Sequence, residues 1–439
     1  MKKIKTFDTF FWWSAAAFIL VVALISFFPA WFTASFSKYN FTTTGQIGDT
    51  IGGIMGPFIA IAAAALTFLA FWVQYKANEQ QKQDIKDLKE RGEIEKLEAK
   101  FFELVKLHRD NVSELTYSPF KRVHIEASDE DIIKEEKFEG RKVFRAIDKE
   151  FKSLFAELKH FFQNTNEINI YEEYYLNQLK KNNEINLRNI DFVTFAQIDI
   201  LYSIIYFGLS FEGQKTLGDF FKGRYKQSFF ESIIQFASLK PKEDSGFWNK
   251  WHSMNSKTTT RIKHFNRLIQ DWNKNVQKIE ELRDEWQVDE ELEYKYKYYK
   301  KGNYTKYYGG HQFRLGHYFR NLYQTITLIN DDKRIDFVQK YSNIKILRGQ
   351  LSTFEQTIIF LNSLSSLGRV WEFESRNNPE KAIEKDNQLI TKYNFIKNIL
   401  NDEIIEGVYV SHFYPLVEFE SGINEEKKKQ RELLEKQYS

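Results

Sequence analysis

The chain of 439 residues contains no cysteine. That excludes disulfides, thiolate metal sites and cysteine nucleophiles together, and it suits a reducing compartment. Proline is scarce, at six residues, so long uninterrupted helices meet few breaks. Net charge is nearly absent: 63 basic residues against 60 acidic ones leave a formal +3, too close to balance to argue for nucleic acid by itself. Several motifs are missing as well. There is no G-x-x-x-x-G-K-[ST] phosphate loop, no G-x-S-x-G nucleophile elbow and no H-E-x-x-H zinc helix. None of the eight histidines follows an arginine by five to seven residues, a spacing used by one class of ribonuclease. No cofactor is named by any motif.

What the chain does have is two long uncharged runs, Thr9 to Ser37 and Thr50 to Tyr75. Mean hydropathy over the whole chain is −0.51, so these runs are local departures from a polar background. About 20 apolar residues carry a helix across a bilayer core of ~30 Å, and each run supplies them. The first run is too long for the apolar core of a signal peptide, and Phe28, Trp31 and Phe32 crowd the positions where cleavage would need small residues. Lys2, Lys3 and Lys5 precede the first run, and Lys76, Lys82, Lys86 and Lys89 follow the second, whereas the loop between them holds only Lys38 and Asp49. The positive-inside rule then places both termini in the cytoplasm. Trp12, Trp13, Trp72 and Tyr75 fall at one interface, and Trp31 with Phe32 at the other.

In the second run Gly48, Gly52, Gly56, Ala60 and Ala64 recur every four residues, a ridge that lets another helix approach closely. It serves either packing against the first helix or a contact between subunits of a homo-oligomer, one version of which lines a pore. Pro57 is expected to kink the helix near Gly53 or to mark its start. Neither run holds an Asp, Glu, Lys, Arg or His, which argues against a transporter or proton relay.

The remaining chain is read as mainly α: a transmembrane hairpin over 1–76, a helical stalk over 77–116 softened at Gly92, a cytoplasmic helical domain over 117–423 and a solvated helical tail over 424–439. Helical periodicity recurs in Val143 to Phe162, Phe192 to Leu209, Phe229 to Leu239, Ile262 to Trp286, Gln312 to Ile329 and Leu351 to Leu367. Polar loops are expected at Lys240 to Gly246 and Arg376 to Lys381. One small β-hairpin is expected where Tyr and Lys alternate around Gly302 and Asn303, over Tyr294 to Tyr308. Lys295, Lys297, Tyr298, Lys300 and Lys301 there combine charge with rings that stack on single-stranded nucleic acid. An ordinary hairpin with one basic face is the plainer reading, because an acidic run, Asp289 to Glu293, precedes it.

Two polar stretches on expected helices carry the candidate chemistry. One spans Gly310 to Arg320 and holds His311, Arg314 and His317; the other spans Leu347 to Gln356 and holds Arg348, Ser352 and Glu355. Histidine titrates near neutrality and arginine offers a two-pronged fork, so His311, Arg314, His317, Arg348 and Glu355 suit acid–base work or phosphate binding. The same residue types also build networks that fix how helices pack.

These stretches, with Leu367 to Glu372, the piece Gly52 to Ala60, and Phe101 to Leu104 followed by His108 and Asn111, resemble the phage abortive infection proteins of the AbiC-like family. The resemblance implies an anti-phage role in which an infected bacterial cell arrests or dies before the phage multiplies. It assigns no catalytic mechanism. Together with the apolar runs, their flanking lysines and the small-residue ridge, it points to a protein of the inner membrane whose partners are the lipid bilayer, further copies of itself and an unidentified phage-derived trigger. A membrane-tethered nuclease or nucleotide-processing enzyme is the alternative, and a scaffold that recruits partners to the membrane is a third.

Overall fold

The computed structural model describes residues 44–125, 130–163, 165–182, 188, 190–246, 248, 304–375, 387–420 and 425–438, with six further positions between 13 and 27. The fold is mainly helical and divides into two compact units, residues 1–95 and 96–439.

In the first unit the second apolar run lies on helix α1, Thr44–Ser113, with Pro57 inside it. Neither Pro57 nor Gly92 interrupts the helix, contrary to the softening expected at Gly92. A helical glycine costs only ~1 kcal/mol relative to alanine, too little to break so long an element. From Met55 onward α1 contains a window of mean hydropathy 2.0, none of it buried. Ile61, Phe68 and Phe71 are each about two-thirds exposed. The helix is long and apolar enough to cross a membrane, and it lacks the burial of a soluble core helix. The first arm of the expected hairpin lies largely outside the described residues, so one such helix is seen rather than two. Ile262 to Trp286 and Arg376 to Lys381 also lie outside them.

The second unit is built on the pattern of its helices. In α2, Lys142–Gln163, the buried residues Phe144, Ile147, Phe151, Leu154, Phe155 and Leu158 recur at three- and four-residue steps and form one apolar stripe. Helix α3, Phe192–Phe207, is buried without a break from Phe195 to Ile205, as a helix apolar on all sides must be. Asp191 starts it, accepting the Val193 and Thr194 N–H groups at 3.1 Å each. Helices α4 (Gln312–Asn330), α5 (Phe337–Arg348) and α6 (Thr353–Leu364) follow. Of these α4 and α6 pack on α3, as does α2, and α6 also packs on α2. The final helix α7, Glu425–Tyr438, occupies the expected tail but is not merely solvated. Arg431 and Leu434 are buried, and Arg431 donates to the carbonyls of Thr391 and Lys392.

Among the described residues three two-stranded antiparallel ladders decorate the helices. β1 (Thr116–Tyr117) pairs with β4 (Phe138–Glu139), and β2 (Phe120–Ile125) pairs with β3 (Glu130–Glu135) in register Phe120 with Glu135. The third joins β5 (Glu403–Ile405) to β6 (Val408–Tyr409). None of these was expected. Most of the hairpin expected at Tyr294 to Tyr308 lies outside the described residues; its last part is placed by a bridge from Lys306 to Pro241.

Among the described residues one ion pair is wholly enclosed. Asp199 on α3 meets Arg369 at 3.0 Å, both side chains having no exposure. The Asp199 carboxylate also accepts the Tyr225 hydroxyl at 2.6 Å and the Ser366 N–H at 2.7 Å, and Arg369 donates to the Leu364 carbonyl at 3.2 Å. Burying two charges is tolerated because the remaining lone pairs and protons find partners. Asp199→Ala should therefore lower the unfolding free energy by about 3–5 kcal/mol, since it strands a buried guanidinium. Chemical denaturation followed by circular dichroism checks this, and a loss below about 1 kcal/mol would show the pair to be dispensable.

Candidate functional site

The site begins with a backbone contact. Gly208, at the end of α3, and Gly310, just before α4, both have positive φ, at +78° and +86°. A Cβ on Gly310 would lie 2.6 Å from the Phe207 carbonyl oxygen, and one on Gly208 would lie 2.6 Å from the Gly309 carbonyl carbon. Only glycine permits both the conformation and the approach. The approach lets the His311 N–H donate to the carbonyls of Ile205 and Tyr206, at 3.0 and 2.9 Å. The start of α4 is thereby fixed to the end of α3.

His311 is buried, with Nε2 2.9 Å from Glu150 Oε2 and Nδ1 3.2 Å from Arg314 Nη1. A guanidinium only donates, so Nδ1 must accept and the ring proton sits on Nε2, facing Glu150. The Tyr117 hydroxyl donates to the same Glu150 oxygen at 3.1 Å. Burial, and next the Glu150 carboxylate, push the Tyr117 phenol well above its ordinary value, which keeps it a donor. Arg314 is held by the Thr116 carbonyl at 2.7 Å and lies between the Tyr117 and Phe313 rings, 4.8 and 4.1 Å from their centres. Burial lowers its guanidinium from its usual value, yet an arginine keeps its charge. Glu150 Oε1 is buried with no hydrogen-bond partner among the described residues.

Beside this network a cavity of about 230 Å³ is lined by Tyr117, Phe120, Lys242, Tyr307, His311 and Arg314, among others. Among the described residues no group of His, Asp or Glu could hold a metal ion.

The five candidate residues do not converge. His311 and Arg314 share the cavity, whereas His317 is exposed on α4. Arg348 closes the end of α5 by donating to the Tyr393 and Asn394 carbonyls at 3.1 and 3.0 Å, next to the left-handed turn at Asn394. Glu355 forms a capping box with Ser352, accepting its N–H at 2.7 Å and its hydroxyl at 2.6 Å. Its other oxygen lies 3.7 Å from His108 Nε2. His108, Tyr318 and Glu355 thus meet in the interior, the His108 and Tyr318 rings 5.1 Å apart. Glu150 and Tyr117 were not among the expected site residues. The available signal for Glu150 was its place between Ile147 and Phe151 on the apolar stripe of α2, where a lone carboxylate needs a partner.

The ridge residues Gly48, Gly52, Gly56, Ala60 and Ala64 are all exposed. No described residue would lie within 4 Å of a Cβ at the three glycines. Lys295, Lys297, Tyr298, Lys300 and Lys301 lie outside the described residues.

Residues 310–404 match the family model described as "Putative phage abortive infection protein". The family resemblance read from the sequence is supported over that stretch, which includes all five candidates and Arg369. It is narrower than the span read from the motifs, which began at Gly52. Neither a curated protein nor a solved structure matches the chain significantly.

The separate placements give separate expectations for stability. Ser352→Ala removes a helix cap and should cost about 1 kcal/mol, whereas His317→Ala should change stability by less than about 0.5 kcal/mol. Thermal unfolding of the two variants distinguishes them, and equal effects would contradict the assignment of Ser352 and Glu355 to the cap.

Proposed function

We propose that the chain is a membrane-anchored abortive-infection protein, in which residues 96–439 sense infection from the cytoplasm and trigger arrest or death of the cell. The observation that carries this reading is the uncovered apolar run of α1, in a chain whose residues 310–404 match an abortive-infection family. Apolar surface left in water costs roughly 25 cal/mol per Å², and a bilayer removes that cost. The lysines that follow the run, Lys76, Lys82, Lys86 and Lys89, favour a cytoplasmic position for the second unit. The cavity lined by His311 and Arg314, with Glu150 behind His311, is where an infection cue would bind.

The response acts at the inner membrane. The small-residue ridge from Gly48 to Ala64 is available for close helix contact, and association of several copies through it would disrupt the bilayer. An enzymatic reading is favoured by one observation, the buried His311–Glu150 pair beside Arg314 at a cavity. It then rests on those three residues rather than the five first considered. Acid–base work by His311 would require Arg314 to release Nδ1, the only ring nitrogen with a lone pair.

Leu66→Arg places a charge in the middle of the apolar run, at an insertion cost of about 3 kcal/mol. The variant should leave the membrane fraction, and phage should plate on its host as efficiently as on cells lacking the protein. Full protection by a protein found only in the soluble fraction would sink the membrane reading. Gly52→Leu with Gly56→Leu should stay in the membrane but lose cross-linking between copies and the loss of membrane potential on infection. Unchanged cross-linking would count against the ridge as the subunit contact.

A further inference from the structure

The cavity carries chemistry that the sensing role does not itself specify. Helix α4 begins at it with no side-chain cap and no acidic residue in the first turn. The His311 N–H is taken by the Ile205 and Tyr206 carbonyls and the Arg314 N–H by the His311 carbonyl at 3.0 Å, so the open donors of this turn are those of Gln312 and Phe313, where the helix dipole adds partial positive charge. Lys242 lines the same cavity. Its backbone N–H is held by the Thr305 carbonyl at 3.0 Å, while its ammonium makes no hydrogen bond or ion pair among the described residues. Arg314 commits Nε to Thr116 and Nη1 to His311, which leaves Nη2 donors to spare. Among the described residues the cavity's one lining carboxylate, Glu243, accepts the Arg122 N–H at 2.6 Å. A helix start, a lysine and an arginine thus line one hollow, with the Glu150 carboxylate set behind His311 and Tyr117.

An anion alone does not explain the aromatic residues. Phe313 is 68% exposed and Phe120 38% exposed, and both line the cavity. Large rings left open beside cations are how proteins hold bases by stacking while neutralising phosphate. The volume of about 230 Å³ falls below the ~300–1,000 Å³ usual for drug-sized ligands, which favours one small nucleotide over a strand.

We propose that this cavity binds a free nucleotide, its phosphate on Lys242, Arg314 and the first turn of α4 and its base against Phe120 and Phe313. The assignment rests on the reading of this cavity as the ligand site. It specifies the cue chemically: a change in the level or kind of nucleotides, as accompanies phage replication, would alter occupancy beside the His311–Glu150 pair.

The test is isothermal titration of the full-length chain in detergent with each of the four nucleoside 5′-monophosphates. Inorganic phosphate and adenosine serve as the two halves of the ligand, and decathymidylate as a strand. At least one monophosphate should bind about tenfold or more tighter than either half, a difference within reach of one charge-assisted contact plus one stacked ring. Lys242→Met and Phe313→Ala should each weaken that binding by about tenfold. No binding of any monophosphate, or binding that neither substitution changes, would overturn the proposal. Phosphate alone binding as tightly as the nucleotide, or the strand binding more tightly, would also overturn it. If the nucleotide binds as expected but Lys242→Met cells still resist phage, the ligand assignment stands and the sensing role of the cavity fails.

Discussion

The close approach of backbone at Gly208 and Gly310 is the constraint on which the site depends. It ends the central helix, starts α4 against it and places the His311 N–H on two carbonyls. From there the spacing within one helical turn puts Arg314 on the other side of the imidazole. Glu150 arrives from α2 because α2 packs on the same central helix. A side chain at either glycine would push these elements apart, and the His311–Glu150–Tyr117 network would lose its geometry. A buried imidazole and carboxylate are costly unless paired, so the network also holds the elements that create it.

The other buried polar groups of the matched segment have a different task. Arg369 with Asp199, Arg188 with Glu372, and Arg348 with the Tyr393 and Asn394 carbonyls are enclosed and well partnered. They tie the irregular chain after α6 to α3, to the end of α5 and to the turn at Arg188. Such pairs contribute modest net stability when intact but are damaging to break, which suits them to fixing the path of chain that has little regular structure. The segment that matches the family therefore combines a cavity wall with internal fastening, and similar residue types serve both.

Much of this was legible from local pattern. Helices α2, α3, α4 and α6 lie where apolar residues recur at helical spacing, as a stripe in α2 and as an all-round apolar element in α3, and the apolar run of α1 is plain from composition. The proximity of His311 and Arg314 follows from three-residue spacing. What spacing cannot supply is the partner across the fold. Glu150 lies 161 residues before His311, and nothing local joins them. Ser352 and Glu355 were ambiguous for a physical reason, because a serine three residues before a glutamate is also a helix-start signal. The hairpin of β2 and β3 escaped notice because Val123, Ile132 and Ile133 are partly exposed, so its apolar residues do not alternate against a core. The long helix was expected to soften at Gly92, but one glycine is outweighed by the helix-favouring residues around it.

The most direct measurement is phage plating on cells carrying Glu150→Gln, with protein abundance in the membrane fraction matched to the unsubstituted chain. The substitution keeps the shape of the side chain and removes the charge that holds the His311 tautomer and the Tyr117 hydroxyl. If the cavity is the working site, protection is lost at equal abundance and with the membrane location unchanged. Protection that persists at full strength would contradict it and point instead to the interior cluster of His108, Tyr318 and Glu355.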